Sequence, residues 1–138
     1  MKQSLMMIAA VVLVGCGKKV VTNSPAVVTN SSAVVAEVQL RIRHAAGKPV
    51  GELIKADYEK VTELNLKRMG LTEFPKELEK LTTIRRLSLA GNQLTDVKGL
   101  ERLMQLRLLS MRDNSDLTED QKSKLQKALP HCSILFHL

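Results

Sequence analysis

Aromatic side chains are nearly absent: Trp is missing, and one Tyr and two Phe bring the total to 2% of 138 residues. That excludes the ring platforms that stack single-stranded nucleic acid or sugars. Cysteine is equally scarce at two, too few for a disulfide framework. Acids are outnumbered, 14 against 21 Lys and Arg, which leaves a formal net charge of +7. This excess favours acidic partners or anionic surfaces without choosing between them. No apolar run reaches the roughly 20 residues of a membrane-crossing helix. The length excludes a large multidomain enzyme, while 44% hydrophobic and 25% charged residues permit one small packed domain.

The chain starts with Lys2 and an unbroken apolar run from Leu5 to Val14. A basic start, a short apolar stretch and a small-residue end read as a secretory signal. The sequence Leu13-Val14-Gly15-Cys16 resembles the lipobox of bacterial lipoproteins. The resemblance implies that residues 1–15 are a signal peptide and that Cys16 carries a diacylglyceryl thioether after cleavage. It also implies a cell-envelope location, held to a membrane by lipid. In Gram-negative sorting, Gly17 in place of Asp favours the outer membrane, facing the periplasm or the cell surface. Two or three acyl chains hold firmly where one does not, because each buried methylene contributes about 0.8 kcal/mol. Cys132 is then the sole remaining thiol, without an intramolecular partner.

Residues 16–32 read as a flexible tether, in which Val-Val-Thr-Asn-Ser occurs at Val20–Ser24 and again at Val27–Ser31. Extended, ~16 residues reach roughly 55 Å. Residues 33–60 read as a helical N-terminal cap. Val38, Leu40 and Ile42 alternate with polar residues as in a strand, yet Val34, Val38, Ile42 and Ala45 also form one helical face. Gly47 and Pro49 are helix stop signals and decide for a helix. A second short helix from Lys55 to Lys60 is expected to bury Tyr58.

Residues 61–138 repeat internally. Val61-x-x-Leu64-x-Leu66 returns as Ile84-x-x-Leu87-x-Leu89, as Leu106-x-x-Leu109-x-Met111, and in part as Leu129-x-x-Cys132-x-Ile134. The unit starts at 61, 84, 106 and 129 give periods of 23, 22 and 23. Asn92 and Asn114 occupy the ninth position, where Met69 and His137 stand in the outer units. This pattern resembles the leucine-rich repeat, L-x-x-L-x-L-x-x-N-x-L. The resemblance implies an α/β fold: a short right-handed solenoid with parallel strands on the concave side. It assigns Asn92 and Asn114 to structure, because an amide side chain can satisfy backbone groups left inside the coil. Thr118 and Gln121 form a capping-box pattern that opens a C-terminal helix running to Ala128.

The resemblance also implies a concave surface that binds protein. Its variable positions include Lys67, Arg68, Arg85, Arg86, Ser88, Arg107, Ser110 and Arg112. Neighbouring parallel strands lie about 4.8 Å apart, so Arg85 and Arg107 are expected side by side within one basic patch. Arginine forks suit carboxylate or phosphate. The patch therefore reads as a docking face for an acidic protein segment. The alternatives are a structural envelope protein holding anionic polymer or lipid, and a merely solvated charged face. No catalytic constellation, cofactor, nucleic-acid or small-molecule site emerges from residue spacing. His131, Cys132 and His137 look like a loose metal cluster, but strand alternation turns His131 away from Cys132, so no metal is expected. Met104 and Met111 fall at core spacing.

Overall fold

The structure is a computed structural model that describes residues 30–137. The signal segment, Cys16 and the tether as far as Thr29 lie outside the described residues. The described chain is a mixed α/β arrangement. Helix α1 (Ser32–Ala45) and the single-turn α2 (Lys55–Tyr58) come first, followed by four strands: β1 (Glu63–Asn65), β2 (Arg86–Ser88), β3 (Leu108–Ser110) and β4 (Ser133–Leu135). The strands form one parallel sheet in the order β1-β2-β3-β4. Between them run 3₁₀ turns at Lys76–Lys80 and Leu100–Arg102 and helix α3 (Glu119–Ala128).

Sequence accounts for α1 closely. Ser31 caps its start, its hydroxyl accepting from the Val34 N–H. Its end is a Schellman turn. Gly47 takes a φ of 71°; its N–H donates to the His44 carbonyl and the Lys48 N–H to the Arg43 carbonyl. Val38 and Ile42, four residues apart, are buried in the same cluster as Val61 and Leu64. The Arg41 guanidinium donates to the Asn65 carbonyl, 3.2 Å away, and fixes the helix beside β1. The helix reading is thus realised, and the strand-like alternation is incidental. Asn30 and Ser31, placed in the tether by sequence, belong to the fold. The Asn30 Oδ1 accepts from the Thr72 N–H and its Nδ2 donates to the Glu73 carbonyl, both at 2.9 Å.

Helix α2 is shorter than expected, and the residue it buries deepest is Asp57 rather than the half-buried Tyr58. One Asp57 oxygen accepts from Lys48 Nζ at 2.8 Å and from the Ile54 N–H at 3.0 Å; the other lies 3.4 Å from Lys60 Nζ. The Lys48 hydrogen bond, and after it the Ile54 N–H, hold the Asp57 carboxyl down at about 2.

The repeat generates the core. In the first three units the leading residues Val61, Ile84 and Leu106 are buried, as are Leu64, Leu87 and Leu109 on the strands and Leu66, Leu89 and Met111 after them. Parallel pairing stacks these rows, with Leu64 opposite Leu87 and Leu87 opposite Leu109. Leu78, Leu81, Leu100, Leu103, Leu125 and Leu129 close the core from the crossovers. Burying one such side chain contributes ~1.5–3 kcal/mol, whereas the exposed pair Arg86–Glu63 contributes ~0.2–1 kcal/mol. The rows therefore dominate.

The fourth unit differs from the sequence alignment. Ile134 lies opposite Leu109, and Leu135 opposite Ser110. Ile134 thus occupies the fourth position of its unit rather than the sixth, and the spacing from the third unit is 25 residues, not 23. The two-residue slip preserves which side chains face inward, so hydrophobic pattern alone could not detect it. The ten-residue α3 takes up the extra length. Its cap is as expected, Thr118 Oγ1 accepting from the Gln121 N–H. His137 does not hold the ninth position that the shorter spacing assigned it, and Cys132 is half-buried against the core in the turn before β4.

Both repeat asparagines are buried. Asn92 Oδ1 accepts from the N–H groups of Met69 and Leu71, and its Nδ2 donates to the carbonyls of Leu66 and Leu89. Asn114 Oδ1 accepts from the Leu94 N–H, while its Nδ2 donates to the carbonyls of Leu89, Met111 and Arg112. Each amide serves backbone of its own unit and of the unit before it. The first unit has no earlier repeat to serve, which explains why Met69 is accommodated at its ninth position.

Replacing Asn92 by Ala is expected to destabilise the fold by ~1–3 kcal/mol, because it strands buried backbone groups; an unchanged urea midpoint would contradict this. Asp57 predicts an acid dependence. Its carboxyl is depressed from 3.8 to about 2, so the stability it contributes is complete above about pH 4 and is lost as pH falls toward about 2. Asp57→Asn is expected to lower the melting temperature at neutral pH and to flatten the acid-induced loss. Melting curves that match the wild type across this range would refute the assignment.

Candidate functional site

Alternation along each short strand turns the central leucine inward and its neighbours outward. Pairing aligns the outward residues in two columns: Glu63–Arg86–Leu108–Ser133 and Asn65–Ser88–Ser110–Leu135. An open depression of about 470 Å³ lies on this face, lined among others by Asn65, Lys67, Arg86, Ser88, Leu108 and Ser110. The small Ser88 and Ser110 form its floor, and Leu108 stands at 38% exposure beside them. The Ser88 Oγ is buried without a hydrogen-bond partner among the described residues.

The basic residues do not form the single patch expected from sequence. Arg85 and Arg107 immediately precede the adjacent strands β2 and β3, at the leading end of the sheet. The Arg85 carbonyl accepts from the N–H groups of Arg107 and Leu108 at 2.8 and 3.0 Å. Both side chains are exposed, and neither joins an ion pair among the described residues. Arg86 is committed elsewhere, 2.8 Å from a Glu63 carboxylate oxygen on β1. Lys67, Arg68 and Arg112 gather at the trailing end, around a second depression of about 350 Å³ that Asp113 also lines. The two groups flank the strands on opposite sides, Arg107 before β3 and Arg112 in the turn after it. The periodic list of variable positions missed this division because it carried no information on distance along the strand.

The trailing-end turns share one backbone requirement. Arg68, Gly91 and Asp113 hold matching positions in three units, and all have positive φ, at 53°, 70° and 56°. At Gly91 the need is also steric: a β-carbon there would lie 2.8 Å from Arg68 Cγ. The missing side chain lets the Arg68 stem lie across Gly91.

The face continues past β1 onto α1, a feature absent from the sequence reading. Leu40, Arg41 and His44 line a depression of about 560 Å³ together with Glu63, Leu64 and Asn65. The available signal was Leu40, which falls outside the buried helical face and stands at 43% exposure. Met104, placed in the core by spacing, is 76% exposed, whereas Met111 is buried. Burial pushes the Cys132 thiol pKa up, which disfavours the thiolate. Among the described residues no three His, Cys, Asp or Glu side chains are grouped to hold a metal ion. No described helix is long and apolar enough to cross a membrane.

No protein-family model matches the chain, and no curated protein matches it. Solved structures do. A leucine-rich-repeat protein of Leptospira interrogans is similar at 31% identity and a TM-score of 0.47, over 61% of this chain and 22% of that one. A structure of Mex67:Mtr2 subunits from Chaetomium is similar at 16% identity and a TM-score of 0.53, over 78% of this chain and 73% of that one. Internalin C2 from Listeria monocytogenes is similar at 16% identity and a TM-score of 0.43, over 79% and 66%. This chain therefore spans under a quarter of the Leptospira protein. It is a mixed α/β protein with a four-stranded parallel sheet, and its structural neighbours include leucine-rich-repeat proteins.

Proposed function

We propose that the chain is a non-catalytic, lipid-anchored binding module that presents the outer face of its sheet to an acidic segment of a protein partner. In this reading the repeats wind as a right-handed coil with the sheet on its concave side, and the terminal helices shield the array. The observation that carries the docking face is the register of the strands. It sets Leu108 beside the two serines on an open depression and leaves Arg85 and Arg107 exposed and unpaired at its leading edge. An apolar anchor with flanking guanidinium groups suits an extended acidic segment that buries one aliphatic side chain. The anchor rests on Leu13-Val14-Gly15-Cys16 and the apolar run before it. The residues after Cys16 then act as a leash within a cell envelope.

Replacing both Arg85 and Arg107 by Glu is expected to abolish partner capture by crosslinking in intact cells, with the melting temperature kept; capture at the wild-type level would remove the docking face from consideration. Raising ionic strength in the same assay separates a protein partner with an apolar anchor, which persists, from an anionic polymer held by charge alone, which is released. Cys16→Ser is expected to move the protein from the membrane fraction to the soluble fraction. Unaltered fractionation would refute the anchor.

A further inference from the structure

Eight of the eighteen Lys and Arg side chains among the described residues form ion pairs, among them Arg41 with Glu37, Arg86 with Glu63, Arg102 with Glu79 and Lys124 with Asp120. The trailing end of the sheet gathers three that do not. Lys67, Arg68 and Arg112 line one depression, and none of them forms an ion pair among the described residues. Asp113 is the one acid in that lining, so three cations face one carboxylate and two positive charges stay unbalanced. We propose that this depression is a binding site for a phosphoryl group carrying two negative charges.

The geometry favours a compact oxyanion over an undirected surface attraction. Arg68 is held in place at its base, with a φ of 53° and its stem across Gly91. Arg112 is half-buried, and its Nε is sunk below solvent reach without a hydrogen-bond partner. Its side chain is thus partly enclosed by the protein while it lines the depression. Two guanidinium groups lining one depression supply paired N–H donors to the oxygens of one phosphoryl group, and Lys67 adds a mobile point charge. A lone carboxylate has one negative charge and two oxygens, and satisfies this set less well. The proposal rests on reading this face as a binding surface, but it uses residues other than Arg85 and Arg107, so the two can fail separately.

The test is a titration of the ¹⁵N-labelled full-length chain carrying Cys16→Ser, with the Arg112 Nε–H resonance as reporter. Inorganic phosphate is expected to give a saturable shift that chloride and acetate at equal ionic strength do not give. Arg68→Gln is expected to weaken the apparent affinity about tenfold, a difference of about 1.4 kcal/mol, while Arg85→Gln leaves it unchanged. Gly91→Ala displaces the Arg68 stem and removes no charge; it is expected to weaken phosphate binding as well. Co-sedimentation with phosphatidylcholine vesicles, with and without phosphatidic acid, identifies the source. Binding only to vesicles with the phosphomonoester headgroup assigns the site to lipid, and binding of phosphate without vesicle binding assigns it to a soluble ligand. A shift that does not saturate, that acetate reproduces, or that Arg68→Gln and Arg85→Gln weaken equally means an adventitious ion only and overturns the proposal. So does the absence of both phosphate and vesicle binding.

Discussion

Everything in this fold depends on satisfying backbone groups that the strands cannot reach. Each strand is three residues long, and the chain then turns into the interior, where unpaired N–H and C=O groups are costly. Asn92 and Asn114 resolve this with one amide apiece, donating on one side and accepting on the other. The aliphatic rows supply the larger favourable energy, but they are compatible with several ways of collapsing. The amides fix where each turn must sit on its neighbour, and so they make the sheet register unique. The exposed columns follow from that register, because a strand displaced by one residue would turn Leu108 inward and Leu109 outward.

A second buried polar group does comparable work at the other end of the core. Asp57 gathers Lys48, Lys60 and the Ile54 N–H around a single carboxylate and ties the loop after α1 to the short α2. Every oxygen has a partner, which is the condition under which a buried charge is tolerated. The neighbouring apolar residues Val50 and Ile54 remain exposed. Order in this segment therefore comes from the carboxylate more than from burial of side chains.

Much of this was legible in the sequence, for identifiable reasons. The three regular units could be aligned because their strand and turn residues recur at 22 or 23 residues. Helix α1 was recognisable through its terminal Gly47, although its side-chain pattern also fitted a strand. The fourth unit was misaligned because both spacings place apolar residues inward, and only hydrogen bonding along β3 separates them. Asn30 was invisible for a different reason. It lies in a polar, repetitive stretch, and its partners Thr72 and Glu73 are over forty residues away. Among the candidate site residues, the exposure of Lys67, Arg68, Arg85, Arg86 and Arg107 could be read from position in the repeat, whereas the partial burial of Ser88, Ser110 and Arg112 could not. The pairing of Arg86 with Glu63, and the separation of the arginines into two groups, required distances.

Asn30 has a mechanical consequence. Asn30 is the first described residue and is bound to Thr72 and Glu73, so a pull applied at Asn30 loads its amide and those backbone partners first. Those bonds are short-range and break singly, whereas the leucine rows behind them yield only together. Under tension the molecule would thus surrender its N-terminal clasp and begin to peel α1 before the stacked turns feel the force, which leaves the sheet face intact.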